Sequence, residues 1–299
     1  MFAPGIPRRV RVQGQRAHPR SVERQSGIVK RWVHGGFTLF ELLIVLGIVV
    51  LLMVLIAPAF TTIKSGGDVT SAAYTIKGVL DTARTYAKAN NTYTWVGFYE
   101  EDVSRPSVTP APNPVCPGCV GRLVMSIVAS KDGTNVYGSS GAVTIDATRL
   151  IQVGKLTKIE NIHVPLFALG AGTGATFDAR PSPSPASDAN FSRFGELNGS
   201  APNTAPLTTP HNFQYPVGNP APAVQYTFSK LLQFSPRGKS RVNGDSYDIR
   251  RVVEIGLLQT HGIATPVPRG SGTGGSIFDG NVVAVQVNGF AGDVSIYRR

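Results

Sequence analysis

Cysteine is scarce in this sequence, which has only Cys116 and Cys119 in 299 residues. A four-cysteine zinc site is therefore excluded, and the five histidines show no spacing that would supply two further ligands. Acidic residues are also few, 18 against 29 Lys and Arg, and Asp245, Asp248 and Glu254 lack the dense oxygen-ligand spacing of a calcium loop. No arrangement of nucleophile and base stands out. We expect a protein that is not an enzyme and has no metal or cofactor.

The two cysteines form the motif Cys116-Pro-Gly-Cys119 in a proline-rich loop. In an oxidising compartment this spacing is compatible with a small structural disulfide, and free thiols are the simpler alternative. A redox-active pair needs its first cysteine at a helix N-terminus, whereas Val120–Ala129 has a strand pattern. These readings favour a structural role without excluding the others.

Positive charge is concentrated at the N-terminus. Residues 1–36 contain eight Lys and Arg against one Glu, a net charge of +7 out of +11 for the chain. The remaining residues therefore carry only about +4. A basic chain would ordinarily suggest nucleic-acid binding, but here most of the excess lies in a leader-like segment.

An almost uninterrupted apolar run covers residues 37–60. As a helix it would be roughly 36 Å long, enough for a hydrocarbon core of about 30 Å. Lys30 and Arg31 precede the run, so the positive-inside rule predicts a cytoplasmic N-terminus. Glu41 is the exception within the run, and an ionisable residue in such a segment is a candidate functional residue.

Three interpretations account for this run. A plain signal anchor explains the length but not Glu41. A secretory signal peptide explains the small residues around Pro58, in Ala57-Pro58-Ala59, but would have an n-region of about forty residues. Cleavage after Gly36 explains every feature, because Phe37 becomes the new N-terminus and Glu41 the fifth residue.

The motif at this point resembles the processing site of the type IV pilin and type II secretion pseudopilin superfamily, G-F-T-L-x-E-L-L. The residues that match are Gly36, Phe37, Thr38, Leu39, Glu41, Leu42 and Leu43. The resemblance implies that a prepilin peptidase cleaves between Gly36 and Phe37 and that Phe37 is N-methylated. It also implies a helix kink at Pro58. The implied partners are that peptidase, other subunits of a filament, an inner-membrane assembly platform and the membrane itself.

Glu41 has a clear physical role in such an assembly. A lone carboxylate in an apolar filament interior is strongly unfavourable, but the Phe37 ammonium of a neighbouring subunit would compensate it. Only one axial stagger satisfies both charges, so the pair would fix the register between subunits.

Beyond the apolar run, residues 61–92 are predicted to extend the helix. Asp68–Asn90 is amphipathic, and Ser65-Gly66-Gly67 before it suggests a hinge. The predicted buried stripe consists of Val69, Ala72, Ala73, Ile76, Val79, Leu80, Ala83 and Ala87.

Strand patterns dominate residues 93–299. The predicted fold is α+β, with a long N-terminal transmembrane and amphipathic helix packed on an antiparallel β-sandwich. Residues 178–224 are rich in proline and are predicted to be a surface insertion. The predicted strands are Tyr93–Tyr99, Arg122–Ala129, Ala142–Ile145, Ile159–Pro165, Gln225–Phe234, Ile249–Gln259, Asn281–Val287 and Asp293–Arg298.

Both ends of the 93–299 region and the helix before it resemble the GspH/FimT branch of the superfamily. The residues that carry this resemblance are Ala83, Arg84, Ala87, Phe234, Pro236, Gly238, Gly292, Val294 and Ile296. It implies a minor pseudopilin in a periplasmic filament of a type II secretion system. The predicted localisation is the bacterial inner membrane, with a single span and most of the chain periplasmic.

A second function is implied by the FimT side of the resemblance, the capture of DNA by a minor pilin. Nucleic acid is a partner only in this alternative. The candidate contacts are Arg298 and Arg299, together with Arg237, Lys239, Arg241, Arg250 and Arg251. A charge of about +4 outside the leader is weak for tracking phosphates, so we favour secretion.

Overall fold

The computed structural model describes residues 38–106, 120–135, 145–183, 193–194, 211–242 and 252–299, with the backbone alone at 55–68. The chain divides into two compact units, Met1–Met53 and Val54–Arg299. The described part contains one α-helix, α1 (Leu39–Ala89), and a short 3-10 helix at Ala147–Arg149. Its strands are β1 (Thr94–Asp102), β2 (Gly121–Ser130), β3 (Leu150–Gln152), β4 (Thr157–His163), β5 (Arg193–Phe194), β6 (Phe213–Tyr215), β7 (Tyr226–Phe228), β8 (Lys230–Phe234), β9 (Ser240–Val242), β10 (Val252–Gln259), β11 (Gly270–Gly272), β12 (Gly275–Ile277), β13 (Val282–Asn288) and β14 (Val294–Arg298).

The second half of α1 packs on the sheet through its predicted apolar stripe. The stripe positions are fully buried except Val79, which is partly buried. The helix ends where Asn91 adopts a left-handed φ of 47° and the Thr92 N–H donates to the Ala87 carbonyl at 3.0 Å, a Schellman closure. The backbone is helical through Ser65-Gly66-Gly67, so the expected hinge is not found.

One large sheet replaces the predicted sandwich. Ten described strands belong to it, and its main path runs β14-β13-β10-β4-β2-β1-β8-β9. Strand β4 joins the two ends because it pairs with β2 along Thr157–Ile162 and with β10 at Ile162 and His163. The predicted fold class is therefore wrong in its architecture. The strands that were expected to form two stacked sheets belong to one sheet, which is continuous through β4.

Both faces of this sheet are covered. Along β1, Val96 and Phe98 point toward the α1 side, whereas Trp95 faces the opposite cluster, as the two-residue period of a strand requires. The opposite face packs against the hairpin of β6 and β7, with Phe213 and Phe228 fully buried.

The described parts of the proline-rich segment 178–224 contribute to the core. Strand β5 pairs with β10 in parallel, and Phe194 packs against Phe98 with ring centroids 5.1 Å apart. His211, just before β6, is fully buried. Apolar and aromatic residues dispersed among prolines therefore anchor this segment at intervals.

Among the helices in the part of the chain that the structure describes, none combines the length and apolar character needed to cross a bilayer. The predicted transmembrane helix at 37–60 and the predicted single-pass inner-membrane localisation, with a cytoplasmic N-terminus and a periplasmic bulk, are therefore wrong.

Candidate functional site

The first turn of α1 is closed by a reciprocal capping box between Thr38 and Glu41. The Glu41 N–H donates to Thr38 Oγ1 at 3.2 Å, and both the Thr38 N–H and its hydroxyl donate to Glu41 Oε2 at 3.1 Å. The carboxylate therefore satisfies helix donors that would otherwise lack partners. The Thr-x-x-Glu spacing of a capping box is present in the sequence. The resemblance to the pilin processing motif, however, predicted a role for Glu41 alone.

The helix that follows this cap exposes an apolar surface on all sides. Exposure is high at every large apolar residue, from 83% at Leu39 to 41% at Val49. Glu41 is the single charged residue in this stretch. Exposed apolar surface of this extent marks a site of interaction. The exposed residues are Leu39, Phe40, Leu42, Leu43, Ile44, Val45, Leu46, Ile48, Val49, Val50, Leu51, Leu52, Met53 and Val54.

Several predicted site residues lie outside the described residues. Gly36 and Phe37 precede them, and Cys116 and Cys119 fall in the gap between residues 106 and 120. Pro58 lies within the helical span of α1. The predictions of cleavage, N-methylation and disulfide formation therefore stay predictions.

The terminal arginines, predicted as DNA contacts, differ from each other. Arg299 donates to Asp178 Oδ1 at 2.7 Å and to the Phe278 carbonyl at 2.8 Å, and its guanidinium lies 5.5 Å from the Phe177 ring centroid. It thereby borders an apolar cavity of about 320 Å³ lined by aromatic side chains. Arg298 is exposed on β14. Arg299 therefore already serves the fold, and a phosphate would have to compete with Asp178.

Glu254, which sequence reasoning weighed as a calcium ligand, is the centre of a buried ion cluster. Arg180 donates to both carboxylate oxygens, at 2.7 and 3.0 Å, and Gln286 Nε2 donates to Oε2 at 2.8 Å. Burial lowers the pKa of the nearby Arg193 guanidinium, whereas Glu254 opposes that shift. Both carboxylate oxygens of Glu254 therefore accept hydrogen bonds from Arg180 or Gln286. Within the described ranges, no group of three or more His, Cys, Asp or Glu is placed to hold a metal ion.

Two glycine turns bring together motifs that are far apart in the sequence. Gly238, in the turn between β8 and β9, has φ +79°, and Gly292, between β13 and β14, has φ +70°. A Cβ on Gly292 would overlap the Gly238 carbonyl oxygen and lie 3.1 Å from Arg84 Nε, and one on Gly238 would lie 3.1 Å from Lys88 Cδ. Only glycine fits both requirements, a left-handed backbone and close approach. Arg84 and Lys88 of α1 therefore lie directly over the two turns.

This arrangement creates a cationic surface that we call the paired-turn patch, made of Arg84, Lys88, Arg237, Lys239 and Phe290. Arg237 and Lys239 flank Gly238, and Phe290 is 60% exposed at the tip of the other turn. The turns are linked because Ser240 N–H donates to the Gly289 carbonyl at 2.9 Å. Sequence reasoning identified most of these positions separately but had no signal for their convergence.

No protein-family model, no curated protein and no solved structure matches this chain. A proposal for its function therefore rests on its residues and their geometry.

Proposed function

We propose that this chain is a minor subunit of a pilus-like filament, of the pseudopilin kind that serves type II secretion, and that it assembles through Leu39–Val54. The observation that carries the proposal is the exposed apolar helix surface with one carboxylate near its start. Such a surface is stable in water only when partner helices cover it, and burial contributes about 25 cal/mol per Å² of apolar area. A bundle of like helices at a filament centre supplies that cover.

In this proposal Glu41 has two successive partners. In the free subunit it caps its own helix through Thr38. After a prepilin peptidase cleaves between Gly36 and Phe37, the carboxylate pairs with the N-methylated Phe37 ammonium of a neighbouring subunit. The exchange compensates both charges inside an apolar assembly and fixes one axial stagger.

Two features favour secretion over DNA capture. Arg299 is held by Asp178 and the Phe278 carbonyl, so it is poorly available to phosphates. The charge outside residues 1–36 is only about +4, which limits the number of phosphates that the chain can neutralise. The large unit Val54–Arg299 suits an infrequent subunit better than one repeated along the whole filament.

The test is assembly of full-length variants expressed with a prepilin peptidase and the major subunit of a filament. Filaments are sheared off, and the amount of this chain in them is measured by immunoblotting, with intact mass giving the N-terminus. We expect a mature mass that begins at methylated Phe37. Glu41→Ala should keep the same methylated N-terminus but lose at least about tenfold in the filament fraction, since an ion pair of roughly 1.4 kcal/mol or more is removed.

Thr38→Val is the matched control because it removes the hydroxyl of the cap but keeps the carboxylate, so incorporation should stay near the wild-type level. Glu160→Ala removes an exposed carboxylate on β4 and should have no effect. An unprocessed N-terminus, or Glu41→Ala filaments that contain as much of this chain as wild type, would contradict the proposal.

A further inference from the structure

We propose that the paired-turn patch is a docking surface for an acidic segment of a partner protein, one that carries Asp or Glu beside an apolar side chain. The inference does not rest on the proposed function, because it concerns the unit Val54–Arg299 and none of the Leu39–Val54 surface. It assigns a binding role to Arg84, Lys88, Arg237, Lys239 and Phe290.

The cations of the patch differ from those basic residues of the described part of the chain that form ion pairs. Elsewhere carboxylates neutralise basic residues on the surface and in the core, as in Lys77–Asp81 at 3.1 Å, Arg149–Asp132 at 2.9 Å and Arg180–Glu254 at 2.7 Å. Among the described residues, Arg84, Lys88, Arg237 and Lys239 have no such partner. Four cations without an ion-pair partner are thus gathered at the two turns, and an acidic ligand would reduce the repulsion among them.

Arg84 adds a second, independent signal. Its Nε is buried between the two turns and has no hydrogen-bond acceptor, although buried donors are normally satisfied. The residue as a whole is half-buried, so part of its guanidinium stays accessible. A carboxylate arriving beside the turns would meet the accessible part of this guanidinium, for which the described residues supply no acceptor.

The backbone under the patch is preorganised. In the first turn the Gly238 N–H donates to the Ser235 carbonyl at 2.8 Å, and the Lys239 N–H donates to Ser235 Oγ at 3.1 Å. In the second turn Asn288 Oδ1 accepts from the Phe290 N–H at 2.9 Å. Little backbone entropy is therefore lost when a partner binds, which leaves more of the contact energy for affinity.

Phe290 indicates that the partner is a protein rather than a nucleic acid. An exposed aromatic residue on a fixed turn beside arginine has the composition of an interface hot spot. The exposed Asp293 next to Gly292, and Asp81 one turn before Arg84 on the helix, interleave carboxylates with the cations. These carboxylates disfavour an unbroken run of negative charge, and Phe290 offers an apolar contact, so the surface suits a segment in which acidic side chains are interspersed with an apolar one.

The experiment uses the full chain, kept in solution with mild detergent that covers Leu39–Val54. The probe is a fluorescein-labelled octapeptide of six Glu and two Leu, and binding is followed by anisotropy. Its control is the same peptide with Gln in place of Glu, and a labelled eight-nucleotide single strand of thymidine tests the nucleic-acid alternative. We expect the Glu peptide to bind and the other two to bind at least about tenfold more weakly.

Variants locate the binding site. Lys88→Gln with Lys239→Gln should weaken the Glu peptide about tenfold, from roughly 0.7 kcal/mol for each charge. Lys155→Gln with Arg298→Gln removes the same net charge from exposed residues outside the patch, and should change affinity less than about twofold. Phe290→Ala should weaken binding at low and at high salt alike, because its contribution is apolar.

Any of three results would overturn the proposal: no binding of the Glu peptide, equal losses in the two double variants, or tighter binding of the thymidine strand. Lys88 is exposed and Lys239 half-buried, and neither donates a side-chain hydrogen bond within the described residues, so their substitution should leave the melting temperature unchanged. Arg84→Gln then serves as the additional variant that tests the guanidinium itself.

Discussion

Glu254→Gln should be among the most destabilising conservative changes in this chain. The substitution keeps the size of the side chain and removes its charge. Arg180 and Glu254 are only 1% and 2% exposed in their side chains, and Arg193 is buried close by. The buried carboxylate therefore compensates the buried guanidinium of Arg180, and its loss leaves that charge without the ion-pair partner seen in the structure.

The expected magnitude follows from that burial. Removing one partner of a buried ion pair costs about 3–5 kcal/mol, because the remaining charge stays desolvated. For a unit of this size, each kcal/mol lowers the melting temperature by roughly 2–4 °C, so the loss should be about 6–20 °C. The Gln286 amide adds to the cost, since its Nε2 also donates to Glu254.

Urea unfolding followed by tryptophan fluorescence measures the effect, since Trp95 on β1 is fully buried. Glu160→Gln is the control. Glu160 is 62% exposed and 3.4 Å from Arg122 Nε, so its loss should cost less than about 1 kcal/mol. In a double-mutant cycle, Arg180→Gln and Glu254→Gln should be less than additive by at least about 1 kcal/mol. Equal destabilisation by Glu254→Gln and Glu160→Gln would refute the reasoning.

Three further predictions concern charge and backbone. The processed chain that begins at Phe37 carries about +4 and should bind duplex DNA weakly at physiological salt, and changing Arg298 and Arg299 to Ala should not weaken binding in a titration at two salt concentrations. Steep salt dependence that is lost in the variant would restore the DNA interpretation. Hydrogen bonds from Thr134 and Ser130 hold the pKa of Asp132 below its usual range, so its stabilisation is present above about pH 4 and is lost as pH falls. The Tm of Asp132→Asn should therefore fall less between pH 5 and pH 3 than that of wild type, and an equal fall would exclude this role. Gly292→Ala should cost roughly 2 kcal/mol or more in urea unfolding, whereas Gly78→Ala, an exposed helix position with open space around it, should stabilise by about 0.5–1 kcal/mol.

Local patterns predicted local structure well. The stripe on α1 is buried because spacings of three and four place those side chains on one face. Strands β1, β2, β4, β10, β13 and β14 lie within a few residues of their predicted ranges. The predicted sandwich was wrong because the alternation of apolar and polar residues shows only which residues lie on each face of a strand. The same alternation occurs in one large sheet and in two stacked sheets. The strand that decides between them, β4, pairs on one side with β2, about 30–40 residues away in the sequence, and on the other with β10, about a hundred residues away.

The short strands were missed for a different reason. Strands β5 and β6 are two and three residues long and lie among prolines, so no periodicity can develop. Their position is fixed by tertiary contacts, such as those of Phe194 with Phe98. Single aromatic residues in a proline-rich stretch therefore marked where the segment is anchored in the core, but they form no periodic pattern that would predict a strand.

The candidate site shows the same division between local and distant contacts. Thr38 and Glu41 are three residues apart, and their cap follows from spacing. Arg84, Gly238 and Gly292 are separated by more than two hundred residues end to end, and only the fold brings them together.

Whether a charged residue is available for binding depends on its neighbours in the folded chain. The composition of the sequence does not show those neighbours. The terminal arginines and the cations around Gly238 formed one candidate group for DNA in the sequence. In the folded chain Arg299 is neutralised by Asp178, whereas Arg237 and Lys239 join Arg84 and Lys88 without a described carboxylate partner. The cation that looked most available is therefore committed to the fold. The cations beside the glycine turns are the ones that remain available to bind a partner, and a search for partners of this unit should begin with them.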